Sequence, residues 1–186
     1  MHKILPKVFA FVDEYESKIF KNNSTNIGVV YRNYNSVNRI KDAIKIAKEC
    51  KKKNYKLFIS NDIKLAIKTK AHGVYIPAFN GRNKFNNLEK RNFIILGSVH
   101  NQKEIKQKIE QKCSAIFISP LFKTKKSKKY LGINRFNYLT NSTKINVLAL
   151  GGINEKNIKQ LKMLNVKGFA GIRIFKKKPA YKRPVF

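Results

Sequence analysis

Acidic residues are scarce in this chain: 10 Asp and Glu stand against 41 Lys and Arg in 186 residues, a formal net charge of +31. Cysteine is scarcer still. Cys50 and Cys113 have no Cys or His cluster around them, which excludes a zinc site and the disulfide frame of a small secreted domain. No apolar run approaches the ~20 residues that cross a bilayer, and Asp13, Glu14 and Glu16 arrive too early for a secretory signal. A cytoplasmic protein with no membrane partner is expected. Zinc-finger spacing, RNP-like aromatic motifs and a basic region followed by heptads are all missing. The positive field still attracts any polyanion, so a basic nucleic-acid-binding protein stays open as an alternative. Lysines spread along the whole chain, together with abundant Asn and Ile, suit a drifted composition as readily as a binding face.

What is present is a hydrophobic fraction of 42%, enough for one domain with a proper core over residues 1–186, with 176–186 as a basic tail. Short apolar runs recur along the chain: residues 8–12, 27–31, 57–59, 74–76, 93–97, 115–118, 146–150 and 168–172. Each reads as a strand buried on both faces. Helical spacing lies between them. Val37, Ile40, Ile44 and Ala47, with Ala43 alongside, give a stripe behind Ser36 as N-cap; Ile63, Ala66 and Ile67 give another; Ile105 and Ile109 mark a helix over 102–111. Phe136 and Leu139 mark a short helix, and Ile158, Leu161, Met163 and Leu164 a further one. The segment 79–91 fits a poor helix or a long loop equally well.

Eight alternating strand and helix signals predict an α/β protein, a closed (β/α)8 TIM barrel, with an open doubly wound sheet as the runner-up. After Phe175 the tail carries Pro179 and Pro184 among basic residues, so the final helix is expected to be shortened or missing. The apolar seam this leaves must be covered by the tail, by the N-terminal segment or by a second copy in a homo-oligomer.

In such a barrel the residues just after each strand share one face, and chemistry sits there. The set is Asp13, Arg32, Asn61 and Asp62, residues 75–80, Ser98 and His100, Thr124 with the lysines that follow, Gly151 and Gly152, and Ile172 with Arg173. Strands six, seven and eight each end in residues suited to holding an anion on backbone N–H groups. Three such ends in succession predict a phosphate cup.

The same motifs carry a resemblance. Ser119-Pro120-Leu121-Phe122-Lys123-Thr124, Ala149-Leu150-Gly151-Gly152-Ile153 and Gly168-Phe169-Ala170 resemble, in order and spacing, the G-P-x-F-x-T, A-I-G-G-I and Gly-x-Ala ends of the thiamine phosphate synthase and thiazole tautomerase family. Ile59-Ser60-Asn61-Asp62 resembles the family's I-I-N-D, Leu96-Gly97-Ser98-Val99-His100 its G-x-S-x-H, and Arg32 falls on the Arg of its Q-x-R-x-K. The resemblance implies condensation of a hydroxymethylpyrimidine diphosphate with a thiazole phosphate and release of pyrophosphate. It implies that Arg32, Asn61 and Ser98 face the pyrophosphate, that Asp62 ligates Mg²⁺, and that Thr124, Gly151, Gly152, Ile172 and Arg173 hold the thiazole phosphate. Lys128 or its lysine neighbours would supply the charge of the family's T-x-T-K.

Departures accompany it. Val30 and Tyr34 stand at the Gln and Lys of Q-x-R-x-K, Pro77 to Asn80 replaces the family's Gly-Gln and second magnesium Asp, and Pro120 stands where the tautomerase branch has His. His100 is then the one nearby imidazole able to move a proton. A thiazole tautomerase-like protein or a non-catalytic phosphate binder are the alternatives within the family. Plainer roles also stand: Asp62 as an N-cap, Arg32 as a solvated strand-end charge, Ser98 and His100 as caps of the following helix, and Gly151-Gly152 as a packing device.

Overall fold

The computed structural model describes residues 4–21, 26–82, 85, 88, 92–125 and 127–171. Its strands are β1 Val8–Val12, β2 Ile27–Tyr31, β3 Lys56–Ser60, β4 Gly73–Ile76, β5 Ile94–Val99, β6 Ala115–Ile118, β7 Asn146–Leu150 and β8 Gly168–Gly171. All pair in parallel and in chain order, and β8 returns to β1 to close the barrel. The expected eight-stranded barrel is the fold. Outside the strands lie α1 Ser17–Phe20, α2 Arg39–Lys52, α3 Ile63–Lys68, α4 Gln102–Glu110, α5 Gly132–Asn141 and a 3₁₀ helix Ile158–Met163. Among the described residues no helix separates β4 from β5, although Phe85 and Leu88 there are buried. Ile172, Arg173, the eighth-helix position and the 176–186 tail lie outside the described residues. No helix among the described residues is long and apolar enough to cross a membrane.

The strands read as continuous apolar runs because each has two buried faces. Successive side chains alternate between them. One face fills the barrel with Phe9, Phe11, Val30, Phe58, Tyr75, Leu96, Phe117 and Leu148; the other packs against the helices through Ala10, Val29, Tyr31, Ile59, Val74, Ile95 and Ile116. The interior is unusually aromatic. Phe9 meets Phe117 edge-on at 5.2 Å, and Phe11 meets both Tyr75 and Phe117 edge-on at 5.2 and 5.1 Å, the arrangement that ring quadrupoles favour.

The helix faces differ from the sequence reading. α2 begins at Arg39, with Asn38 as its N-cap, and Ser36 instead closes a turn by accepting from Asn38 N. Its buried stripe is Ala43, Ile46 and Cys50, while Val37 and Ile40 are exposed. In α3 the buried pair is Leu65 and Ala66, with Ile67 exposed, and in α4 Ile105 is buried while Ile109 is exposed and Lys108 turns inward. The last helical segment winds as 3₁₀: Ile158, Leu161 and Leu164 are buried and Met163 is exposed, the three-residue spacing that eclipsed 3₁₀ side chains require.

Candidate active site at the barrel mouth

The two-residue period that points Phe11, Val30, Phe58, Leu96 and Phe117 into the barrel places Asp13, Arg32, Ser60, Ser98 and Ser119 next in line, above the aromatic layer. Arg32 and Asp13 form a bidentate pair, Nε to Oδ1 at 2.8 Å and Nη2 to Oδ2 at 3.0 Å. The Arg32 guanidinium also lies 5.6 Å above the Phe11 ring. Its hydrogen bonding to Asp13 raises its pKa further, so it stays a cation at every working pH. Tyr75, at the β4 end, shares a side-chain hydrogen bond with Ser98; burial nevertheless pushes its hydroxyl up to about 12. Arg32, Ser60, Tyr75 and Ser98 therefore surround the axis where the barrel opens.

A second cluster stands over β2, β3 and β4. Tyr34 OH and Ser60 Oγ are 2.7 Å apart. Arg39, the first residue of α2, donates from Nη2 to Ser60 O at 2.7 Å and from Nη1 to Asn33 O, and its guanidinium lies over the rings of both Tyr31 and Tyr34 at 5.7 and 5.5 Å. Asp62 works as the N-cap of α3, accepting from Leu65 N at 2.9 Å through Oδ1, while Oδ2 faces Arg39 Nε at 3.9 Å. The capping role weighed from sequence is thus present, with one carboxylate oxygen directed elsewhere. Asn61, at φ 57°, takes a hydrogen bond on Oδ1 from Asn80 Nδ2. Asn61 therefore meets Asn80, while Asp62 is directed to the start of α3 and to Arg39.

The plainer role for Ser98 and His100 as helix caps is replaced by another. Asn101 caps α4 by accepting from Glu104 N at 2.9 Å, and Glu104 folds back to accept from Asn101 Nδ2 at 3.0 Å and from His100 N at 2.6 Å, a capping-box-like exchange shifted by one residue. His100 Nδ1 lies 2.7 Å from Ser119 O. A carbonyl only accepts, so Nδ1 carries the proton and Nε2 is left as the basic nitrogen.

On the opposite rim the β6 and β7 loops are zipped together, Leu121 N to Leu150 O at 2.9 Å and Phe122 N to Gly151 O at 3.0 Å. Gly151 and Gly152 adopt φ of 96° and 72°, and a Cβ at Gly152 would lie 2.5 Å from Phe122 O. Asn154 and Asn157 both donate their side-chain amides to Gly152 O, at 3.1 and 2.9 Å. Thr124 closes its loop on Ser127, whose backbone N–H it accepts at 3.0 Å, and Lys128 is exposed on that loop. The structure therefore brings Arg32, Asn61, Asp62 and Ser98 to one side of the mouth and Thr124, Gly151 and Gly152 to the other.

Tyr75 lay within the 75–80 stretch that the sequence placed on this face, whereas Ser60, Arg39 and Lys108 were missed. Ser60 was legible as the inward member of β3; Arg39 and Lys108 carried no local signal. Lys108 is fully buried, donating from Nζ to Pro77 O at 3.1 Å, Asn80 O at 2.9 Å and Gln111 Oε1 at 2.8 Å. Among the described residues no group of three His, Cys, Asp or Glu side chains could together hold a metal. A groove of about 510 Å³ runs along α4 beside Ala78, Asn101, Glu104, Gln107 and Glu110.

A parallel eight-stranded barrel closed in chain order belongs to the (β/α)8 class, the fold in which sites are built at the C-terminal ends of the strands. Within that class, this chain belongs to the thiamine monophosphate synthase (TMP-TENI) family, whose sequence profile matches residues 20–175. It is 32% identical over 139 residues to the thiamine-phosphate synthase of Prochlorococcus marinus subsp. pastoris, covering 71% of this chain and 38% of that protein. To the thiamine-phosphate synthase of Hydrogenobaculum sp. it is 31% identical over 147 residues, 76% of this chain and 69% of that one. The chain thus spans less than two-fifths of the length of the Prochlorococcus relative. The fold matches a thiamine phosphate pyrophosphorylase from Pyrococcus furiosus with a TM-score of 0.75 at 18% identity, over 94% of this chain and 92% of that one.

Proposed function

We propose that the chain is a thiamine phosphate synthase-type transferase, joining a hydroxymethylpyrimidine diphosphate to a thiazole phosphate with release of pyrophosphate. The observation that supports this reading is the placement of Arg32, Asn61, Asp62 and Ser98 at the C-terminal ends of β2, β3 and β5, on the same end of the barrel as the glycine-lined β6–β7 rim. Arg32 is a permanent cation beside the axis, suited to the charge that gathers on a departing pyrophosphate. Ser98 adds a hydroxyl and Asn61 an amide on the same side. The thiazole phosphate is assigned to Thr124, Lys128, Gly151 and Gly152, and by the family resemblance to Ile172 and Arg173, which lie outside the described residues. Holding both reactants at one mouth supplies the positioning that a displacement of this kind needs, and no paired acid and base is required. Alkylation of a thiazole ring nitrogen releases no proton, so His100 has a proton to move only in a tautomerase-type reaction.

The donors at the mouth fit Mg²⁺ in a reduced form. Asp62 offers one carboxylate oxygen, Oδ2, and Asn80 is an amide engaged with Asn61. Magnesium is commonly held by one or two carboxylates together with substrate phosphate oxygens, and Asp62 is the residue here that would hold it. When bound, the ion neutralises charge on the pyrophosphate. We place the protein in the cytoplasm, acting on small phosphorylated substrates and not on nucleic acid.

A second reading is a relative that binds thiazole phosphate without condensing it. Val30 and Tyr34, where pyrimidine and pyrophosphate contacts are lost, favour it. The deciding experiment is an assay for thiamine phosphate with both phosphorylated precursors and Mg²⁺, run beside Asp62→Asn. Product that depends on Asp62 supports the synthase; absence of product with retained thiazole phosphate binding supports the second reading.

A further inference from the structure

We infer that Tyr34 and Phe79 form a preorganised aromatic corner that takes the planar ring of the pyrimidine substrate. The inference rests on the synthase reading above and names the residues that recognise one of its two substrates.

Phe79 is a large apolar side chain left 75% exposed at the barrel mouth, and Tyr34 beside it is 38% exposed. An isolated surface phenylalanine would carry no meaning. These two are a pair, with ring centroids 6.0 Å apart and planes at 75°. Two rings near a right angle leave a corner where a third ring can stack on one face and meet the other edge-on, both favourable arrangements.

Both walls of the corner are held from behind. Tyr34 is anchored at its hydroxyl by Ser60 Oγ and backed by the Arg39 guanidinium, which is itself fixed to Asn33 O and Ser60 O. Phe79 sits in a turn closed by Asn80 N donating to Pro77 O at 3.1 Å. Lys108 Nζ reaches in from α4 and bonds the carbonyls of both Pro77 and Asn80, the residues that bracket Ala78 and Phe79. Gln111 Nε2 adds a bond to Asn80 O at 2.9 Å and another to Arg82 O at 3.0 Å. Burying an ammonium against neutral acceptors is costly. Here the cost fixes a turn whose tip is an outward-facing phenylalanine, a use of rigidity that lowers the ordering cost of binding rather than one that fills a core.

The surroundings select the kind of ring. Arg32 lies close enough to Tyr34 to shift its titration, Arg39 backs it, and Asn61 and Asn80 stand at the foot of the corner. A flat heteroaromatic ring carrying a phosphate or diphosphate group fits this combination, with its ring in the corner and its anion toward Arg32. Val30 stands in place of the glutamine that the family resemblance assigns to pyrimidine recognition, and stacking takes over that recognition.

The chain contains no tryptophan, so Phe79→Trp places a single fluorescent indole in the corner. Titration with hydroxymethylpyrimidine diphosphate should quench it saturably, and inorganic pyrophosphate should not. In calorimetry, Phe79→Ala should weaken the pyrimidine diphosphate about tenfold while leaving inorganic pyrophosphate affinity unchanged. Equal affinities of Phe79→Ala and wild type for the pyrimidine ligand would overturn the inference. So would quenching by thiazole phosphate instead, or no binding of the pyrimidine ligand to the wild-type protein. If the pyrimidine ligand binds in a Phe79-dependent way and no thiamine phosphate forms, the corner stands and the synthase reading fails. If product forms at an unchanged KM for the pyrimidine in Phe79→Ala, the synthase stands and the corner fails.

Discussion

Asp13 and Arg32 hold each other through two hydrogen bonds, at 2.8 and 3.0 Å, across the ends of β1 and β2. The carboxylate fixes the guanidinium but also cancels its charge just where an anion would approach. The side chains of Arg32 and Asp13 are 29% and 53% exposed, so the pair adds less than about 1 kcal/mol to stability. Asp13→Asn should therefore leave the unfolding midpoint nearly unchanged and strengthen inorganic pyrophosphate binding about three- to tenfold at low salt, with the gain shrinking as salt rises. Arg32→Met should remove the binding. Unaltered affinity in both variants would place the pyrophosphate away from this pair.

Asp62 does two jobs with its two oxygens, and the jobs can be separated. Asn caps a helix about as well as Asp does, so Asp62→Asn should keep α3 intact and its thermal midpoint within about 2 °C of wild type. Asp62→Ala loses the bond to Leu65 N and should cost about 1 kcal/mol. If the carboxylate holds Mg²⁺, both variants lose the magnesium dependence of product formation. Loss in Asp62→Ala alone would reduce Asp62 to a cap.

The barrel was legible because each strand is buried twice over, by the aromatic interior and by the helix layer, and so reads as an uninterrupted apolar run. Strand ends then gave Arg32, Asn61, Asp62 and Ser98 by position alone. Helix faces were less legible. Ile40 and Ile109 suit an apolar stripe but stand in solvent, while Lys108, whose residue type signals a surface, is fully buried. Its three acceptors come from the turn at 77–80 and from Gln111, about thirty residues and one turn away respectively, and no local pattern announces them. Tyr34 read as the loss of a lysine; only the contact with Ser60 and Phe79 gives it a role.

Alkaline pH should destabilise the fold in two stages. Burial pushes the Cys50 and Cys113 thiols from 9.0 up to about 12, so above pH 9 the unfolded chain releases protons that the native chain keeps. Each such group lowers stability by about 1.4 kcal/mol per pH unit through that window. Tyr75, raised from 10.0 to about 12, adds its own loss above pH 10. Lys108 opposes them: burial lowers its pKa, the unfolded chain holds that proton longer, and stability gains from it just below 10.5. Urea midpoints should be flat to about pH 8.5 and then fall. The double variant Cys50→Ala, Cys113→Ala should delay the fall until pH 10; a fall that still begins near 9 would exclude the thiols.

Gly132 and Gly152 share a left-handed backbone, at φ 69° and 72°, but only one of them is crowded. Around Gly132 nothing lies within 4 Å of where a Cβ would stand, whereas at Gly152 that atom would meet Phe122 O at 2.5 Å and Lys123 O at 2.6 Å, both backbone. Gly132→Ala should cost only the conformational penalty, about 1–2 kcal/mol. Gly152→Ala carries the same penalty and must also part the β6 loop from the β7 loop, adding about 1–3 kcal/mol. The difference between the two variants isolates the close approach of the loops. Because that approach shapes the rim assigned to the thiazole phosphate, Gly152→Ala should abolish binding of that ligand in calorimetry while Gly132→Ala binds as wild type. Retained affinity in Gly152→Ala, despite the measured loss of stability, would move the phosphate cup to another part of the mouth.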